Sequence, residues 1–219
     1  MRPHGRSGYT RADGTHVSPA SVTGHCQRNP PSFQKWNDKI RNGLPPHWAL
    51  KNEESKDWTE DEKERVLEAL SELPKTLIAD FIDGIYRLKT SDIYSLNPGS
   101  QREHEIALYD EAFGENQKMA RVLGHEFAHE LYSQFSDDEK DSYNKTADWI
   151  TRDLRSGGKI FIPVRDGYVE DDGQESPGED FANNIEYYLF NPEKLQILSP
   201  KVYEWIHTHY GDNFKLGKG

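Results

Sequence analysis

The stretch from His125 to His129, with the sequence His-Glu-Phe-Ala-His, constrains this chain more than any other part of it. Residues four apart share one face of a helix, so two imidazoles with this spacing can reach one metal ion at roughly 2.0–2.1 Å. Apolar residues recur every four positions on the opposite side of the same segment, at Leu123, Phe127, Leu131 and Phe135. The pattern predicts a helix over about 115–135 with one face in the core and the other free to hold metal.

The chain contains nine histidines, so two of them could lie four residues apart by chance. Other residues of the sequence distinguish a metal site from this alternative. Glu126 follows the first histidine and is not itself a ligand, but its carboxylate would face a metal-bound water and take its proton. A catalytic zinc needs a third protein ligand. The class that uses a third histidine would have Gly at 132 and His at 135, where this chain has Tyr132 and Phe135. The third ligand must therefore lie elsewhere.

Charge is unevenly distributed along the 219 residues. The net charge is −11, yet residues 1–57 carry nine Lys and Arg against five Asp and Glu, so the remainder carries −15. A domain that acidic repels phosphate backbones, which argues against nucleic acid as a partner and favours neutral or basic peptides.

Cys26 is the single cysteine, which excludes an internal disulfide and a cysteine-based metal site. The N-terminal residues have no apolar run typical of a secretory signal, and no stretch approaches the 18 apolar residues of a membrane span. We expect a soluble protein made in the cytoplasm, with no membrane partner. Its export would require a specialised secretion system.

The organisation predicted from the sequence is a basic, Pro/Gly-rich arm over 1–57 and a folded domain over 58–219. The arm is expected to be partly disordered or wrapped on the main domain, and its residues 8–17 to form two extended pieces about an Asp-Gly turn. Capping boxes at Thr59/Glu62 and Ser136/Glu139 predict helices that end near Pro74 and Leu154. Further predicted elements are strands at 85–88, 93–96 and 106–109, a turn at 97–100, and helices over 179–190 and 200–210.

The segment Ser176-Pro177-Gly178-Glu179-Asp180-Phe181-Ala182 resembles a Ser-Pro-x-Glu-Asp-Phe-Ala segment of one zinc peptidase family. That family is similar to the anthrax lethal factor catalytic domain, is of the gluzincin type, and includes the Pro-Pro endopeptidases. Residues 97–100, 106–110 and 191–195 resemble it in the same order, so the resemblance covers roughly residues 58–210. It implies an α+β, zincin-like fold with a small mixed sheet, the motif helix and a mainly helical C-terminal half.

The resemblance also implies one zinc ion per chain, with Glu179 as the third ligand beside His125 and His129. Glu175 and Glu186 are the alternatives, and a capping box between Ser176 and Glu179 would explain this glutamate without any metal.

This chain departs from the family at two positions. Asn183 stands where the family has a second Glu that supports the ligands, although Glu186 could compensate. Asp172 stands where the family has a Tyr that donates to the oxyanion of the tetrahedral intermediate. The nearest tyrosine, Tyr168, is assigned that role, against the alternative that it is an ordinary loop aromatic.

These observations predict a zinc-dependent metalloendopeptidase with Glu126 as general base. A protein or peptide substrate would lie extended along Ile106–Tyr109, predicted to be the strand at the edge of the cleft. One alternative is a zinc amidase that acts on peptidoglycan cross-links. Another is a catalytically weak metal-binding interaction module, against which the intact Glu126 argues. The basic arm and the absence of an inhibitory domain suggest a delivered bacterial toxin or effector.

Overall fold

A computed structural model of the chain describes residues 9–10, 16–17, 31–47, 53–78, 81–91, 96–211 and 214–217. The chain divides into two compact units, Met1–Lys35 and Trp36–Gly219. In the first unit, strand β1 (Tyr9–Thr10) pairs antiparallel with β2 (His16–Val17), which confirms the two predicted extended pieces. The Asp-Gly turn between them lies outside the described residues. The predicted domain boundary at residue 57 stays a prediction.

A four-stranded mixed sheet lies in the second unit. Its strands are β3 (Ile40–Arg41), β4 (Gly84–Arg87), β5 (Gly99–Arg102) and β6 (Glu105–Leu108), in the order β3-β4-β6-β5. Strands β3, β4 and β6 are parallel, and β5 is antiparallel to β6. All residues of β4 and β6 are buried, as expected of strands that are covered on both faces. The predicted strand at 85–88 and the α+β class are confirmed.

The prediction that Ile106–Tyr109 forms the edge of the cleft is wrong. Strand β6 lies between β4 and β5, so among the described strands the sheet ends at β5 on that side. The chain reverses at Glu103 and His104, which both have positive φ (46° and 66°), and the resulting two-residue turn places β5 against the open side of β6. The edge strand is therefore the one that precedes the turn.

Two neighbouring predictions concern the segment before this turn. The predicted strand over 93–96 falls on residues outside the described ranges, apart from Leu96, which lies in a turn. The predicted turn over 97–100 gives way to β5 at Gly99.

The remaining regular elements of the described chain are α-helices and a further hairpin. The motif helix is Met119–Ser133, with Leu123 and Phe127 buried and Leu131 and Phe135 packed at the margin of the core, so the predicted apolar stripe is confirmed. None of the described helices is long and apolar enough to cross a membrane. In chain order the elements are α1 (Pro31–Asn37), α2 (Glu60–Glu72), α3 (Met119–Ser133), α4 (Asp137–Thr146), β7 (Trp149–Asp153), β8 (Lys159–Pro163), α5 (Pro177–Phe190), α6 (Pro192–Leu198) and α7 (Pro200–Tyr210).

The predicted extension of α4 to about Leu154 is wrong, because that helix ends at Thr146. Asp148 has a φ of 57°, a left-handed conformation that a right-handed helix cannot continue. The following β-branched and aromatic residues pair as the antiparallel hairpin β7–β8. Gly157 and Gly158, predicted to end the helix, instead lie between the two strands with φ of 80° and 100°.

Arg87 at the end of β4 connects the sheet to α2. Its side chain is 1% exposed, and its Nε and Nη2 both donate to Glu62 Oε1 at 3.1 Å. It also pairs with Asp110, and its guanidinium lies 4.3 Å from the centre of the Phe113 ring. Glu62 in turn closes the capping box of α2 with Thr59, so one buried carboxylate fixes both the start of a helix and the end of a strand.

We expect Arg87→Met to lower the free energy of unfolding by about 3–5 kcal/mol, because it leaves the Glu62 carboxylate largely buried without its cation. Urea denaturation followed by circular dichroism measures the change. Lys63→Met is the matched control, since Lys63 pairs with the exposed Glu60 at the surface of the same helix and should change stability little. Equal losses in both variants would contradict a special role for the buried pair.

Candidate metal centre

Three side chains from two helices converge at one point. His125 and His129 project from α3, and their Nε2 atoms are 3.0 Å apart. Glu179 Oε2, from the first turn of α5, lies 3.2 Å from His129 Nε2 and 3.5 Å from His125 Nε2. Tetrahedral ligands at 2.0–2.1 Å from a zinc ion are separated by roughly 3.3 Å. The spacing therefore suits one metal ion, and these three residues form a group that could hold it.

Glu179 reaches this point because the helix start leaves its side chain available. Its N–H donates to Ser176 Oγ at 3.1 Å, so the serine caps α5. In α2 and α4 the glutamate at the same position bonds back to the cap residue, whereas the Glu179 carboxylate lies beside the two histidines. Glu175 lines the cleft nearby and is outside the three-residue group.

Asp180, the next residue, fixes the start of α5. Its fully buried carboxylate accepts hydrogen bonds from Tyr143 on α4 (3.1 Å), Trp149 on β7 (3.0 Å) and Asn184 on α5 itself (2.8 Å). Arg165 supplies the opposite charge. The carboxylate is thus paired and hydrogen-bonded, as a buried charge must be. Adjacent residues on a helix point about 100° apart, so fixing Asp180 also fixes the direction of Glu179.

Glu186 supports the first histidine from behind. Its Oε2 lies 3.4 Å from His125 Nδ1, and its Oε1 accepts from Arg121 Nε at 2.8 Å. A carboxylate on the second ring nitrogen sets the tautomer and orientation of a metal-ligating histidine. Asn183 does not take this place, because its Nδ2 donates to Asp172 Oδ1 at 2.6 Å and so faces the acidic loop at 166–178. The supporting carboxylate of this chain is therefore seven residues after Glu179.

The carboxylates dominate the electrostatics of the group. Burial disfavours the charged imidazole of His125, but the neighbouring Glu179 and Glu186 outweigh it and raise the pKa of His125 to about 10. Burial likewise opposes ionisation of Glu179 and Glu186, and the hydrogen bonds from the histidines lower the pKa of both carboxylates. Without a metal, the group attracts a proton; a divalent cation would satisfy the same negative charge.

Glu126 lies beside the group under the edge strand. Its side chain is buried, with 4% of the residue exposed, and this burial raises the pKa of its carboxylate. A general base works best when its pKa lies near the working pH, so the upward shift suits that role. Gly99 of β5 covers the carboxylate so closely that an added Cβ would lie 2.7 Å from Glu126 Oε1. Only glycine fits above this carboxylate without displacing it.

Two cavities meet at the metal group. One of about 700 Å³ extends towards the start of α3 at Asn116–Lys118, and the other of about 670 Å³ extends along β5 to Arg102. His125 and Glu126 line both, as does Asp172 from the acidic loop. The group therefore lies at the middle of a groove with space on either side for an elongated molecule.

Tyr168 is not brought into this arrangement. Its ring packs against Trp149 and under the Arg165 guanidinium, 6.2 Å and 4.3 Å between centres, and it lines neither of the two cavities described above. Its role as oxyanion donor stays a prediction that this position does not favour. The features missed by sequence reasoning are β5 as the edge strand and the close cover of Glu126 by Gly99. The glycine in Asn-Pro-Gly-Ser was their one visible signal, and it is also typical of an ordinary turn.

No protein family model, curated protein or solved structure matches this chain. Its function has to be inferred from the site itself.

We expect Glu179→Ala to abolish tight binding of Zn²⁺, because two imidazoles alone leave the ion without its third protein ligand. Equilibrium dialysis followed by elemental analysis measures bound zinc per chain. Glu175→Ala is the matched control, since it removes a carboxylate from the same loop and cleft without touching the group. Loss of zinc from the control alone would show that Glu175 is the ligand.

Glu186→Gln should weaken Zn²⁺ binding by about 10- to 100-fold, the usual effect of losing a carboxylate that orients a ligating histidine. Competition with a chromophoric chelator gives the affinity. Asn183 lies on the same helix as Glu186, and Asn183→Ala, which breaks the hydrogen bond to Asp172, should leave the affinity close to that of the wild type. A larger loss of Zn²⁺ affinity in Asn183→Ala than in Glu186→Gln would show that position 183 supports the ligands.

Proposed function

We propose that this protein is a zinc-dependent metalloendopeptidase. The observation that carries the proposal is the convergence of His125, His129 and Glu179 within 3.5 Å of one another, with the buried carboxylate of Glu126 beside them. Two histidines and one carboxylate are a ligand set of catalytic zinc, which keeps a fourth position open. We also infer a zincin-like fold; the mixed sheet, with its antiparallel edge strand beside the motif helix, supports it.

In the proposed reaction, Glu126 and Glu186 have separate roles. Zinc, when bound, supplies Lewis acidity to a carbonyl oxygen and to a water molecule. Glu126 accepts the proton of the attacking water and passes it to the leaving amine, so that the peptide bond breaks with no net change in the protonation of the enzyme. Glu186 keeps the His125 ring in the ligating orientation through Nδ1.

An extended peptide is the substrate form that suits the groove. Strand β5 forms the margin of the sheet next to α3, and its residues line the half of the groove that ends at Arg102. A peptide laid along this strand would add main-chain hydrogen bonds to an open edge. This replaces Ile106–Tyr109 as the predicted docking strand.

A zinc amidase that acts on peptidoglycan cross-links is a second candidate, because the same ligand set and base would serve it. The long groove on both sides of the group favours a peptide over a short cross-link. A weak metal-binding module is disfavoured, because a module without catalysis has no use for a carboxylate buried beside the metal group. The toxin or effector role stays a proposal from composition and resemblance.

The decisive experiment is a digest of a diverse peptide library by wild-type protein and by Glu126→Gln. Wild-type protein purified with about one zinc per chain should cleave internal peptide bonds. The variant should keep its zinc and lose hydrolysis by several orders of magnitude, because the attacking water has lost its base. Mass spectrometry of the products measures both cleavage and site preference. Full activity in metal-free protein, or undiminished turnover by the variant, would refute the proposal.

A further inference from the structure

The edge strand presents two residues outward. The N–H of Tyr109 donates to the Pro98 carbonyl at 3.0 Å, which makes these residues a hydrogen-bonded pair at the end of the β5–β6 ladder. Antiparallel pairs alternate, so Gly99 and Gln101 are the residues whose main-chain groups face away from β6. Within the described ranges no strand pairs with that side of β5. The Gly99 N–H donates to Asn97 Oδ1, which leaves the carbonyl of Gly99 and both groups of Gln101 facing the groove side.

The same two residues direct their side-chain positions towards the motif helix. Gly99 lies against Glu126, and Gln101 Nε2 donates to Glu130 Oε2 at 2.6 Å. Two residues of a strand advance roughly 6.8 Å and four residues of a helix roughly 6 Å, so strand and helix match in step. Gly99 and Gln101 therefore each contact one glutamate of α3, Glu126 and Glu130 respectively.

Glu130 holds the strand at a second point. It is only 3% exposed, and its Oε1 accepts from His104 Nδ1 at 2.7 Å and from Gln134 Nε2 at 2.8 Å. His104 belongs to the left-handed turn that joins β5 to β6. The Glu130 carboxylate raises the pKa of the His104 imidazole, as expected of a charge-assisted bond. One buried carboxylate therefore connects both the strand and its turn to the helix that carries the metal ligands.

We propose that Glu130 is a positioning residue that sets the register of the substrate-binding strand β5 against the metal group. This inference rests on the proposed peptidase function, because it assumes that the outward groups of Gly99 and Gln101 pair with a peptide. Glu130 touches neither substrate nor metal. It fixes the distance between the strand that would bind the peptide backbone and the helix that carries His125 and Glu126.

Glu130→Gln and Gln101→Ala test this in the zinc-loaded enzyme, with a peptide that the wild type cleaves in the library digest. Both should raise KM about tenfold with kcat changed by less than about twofold. Each variant loosens the Gln101 end of β5 while Gly99 stays against Glu126, so the base keeps its surroundings and ground-state and transition-state binding weaken alike. Zinc content should stay at the wild-type value. Gln134→Ala is the matched control, since it removes a hydrogen bond to the same carboxylate from within α3 and should leave KM unchanged.

Amide hydrogen exchange supplies a readout that needs no substrate. The two variants should exchange faster than the wild type at the Ser100 and Arg102 amides, which pair with β6, while β4 and the control stay protected. A purely structural role for Glu130 would lower the melting temperature and leave KM and β5 exchange as in the wild type, which would overturn the inference. An equal KM increase in Gln134→Ala would overturn it too. If the wild type cleaves no peptide, the proposed function fails, and unchanged exchange in β5 would then reject the Glu130 connection separately.

Discussion

The buried carboxylate of Asp180 is the interaction on which the candidate metal centre depends. An isolated charge in the interior would cost several kcal/mol, so the carboxylate is stable only while its donors on α4, β7 and α5 and the Arg165 guanidinium all reach it. Those donors come from four separate segments, and none of them touches the metal group. Together they fix the position of Asp180 in the first turn of α5. Glu179 is the preceding residue of the same turn, so its position is fixed as well.

Negative charge is concentrated around the two histidines well beyond what a structural helix requires. Glu179 and Glu186 lie against His125 or His129, Glu126 lines the same cavity, and among the described residues the salt bridge from Arg121 goes to Glu186. In the metal-free protein this imbalance draws a proton onto His125. Burying this negative charge costs free energy unless a cation neutralises it. A divalent cation bound between the three ligand atoms would do so, and the distances between those atoms suit it.

Local periodicity was sufficient to predict the motif helix, its apolar stripe and α5, because each rests on spacings within one element. Predictions from local periodicity were wrong where pairing with residues distant in the sequence determines the conformation. Trp149 and Ile150 suit a helix or a strand, and pairing of residues 149–153 with 159–163 selects the strand. Strand β6 is not an edge strand, because the turn at 103–104 places β5 beside it. The hydrogen bond between Gln101 and Glu130 spans 29 residues and leaves no periodic signal.

Under the proposed function, catalytic geometry and substrate register depend on the same strand. Glu126 is buried because Gly99 lies on it, and its raised pKa follows from that burial. If β5 moved away from α3, water would reach the carboxylate and its pKa would fall towards that of an ordinary glutamate. The same movement would carry the outward groups of Gly99 and Gln101 away from the metal group. Under the proposed function, Gly99 therefore tunes the base, and Glu130, one helical turn after Glu126, holds the Gln101 end of the same strand that positions the peptide.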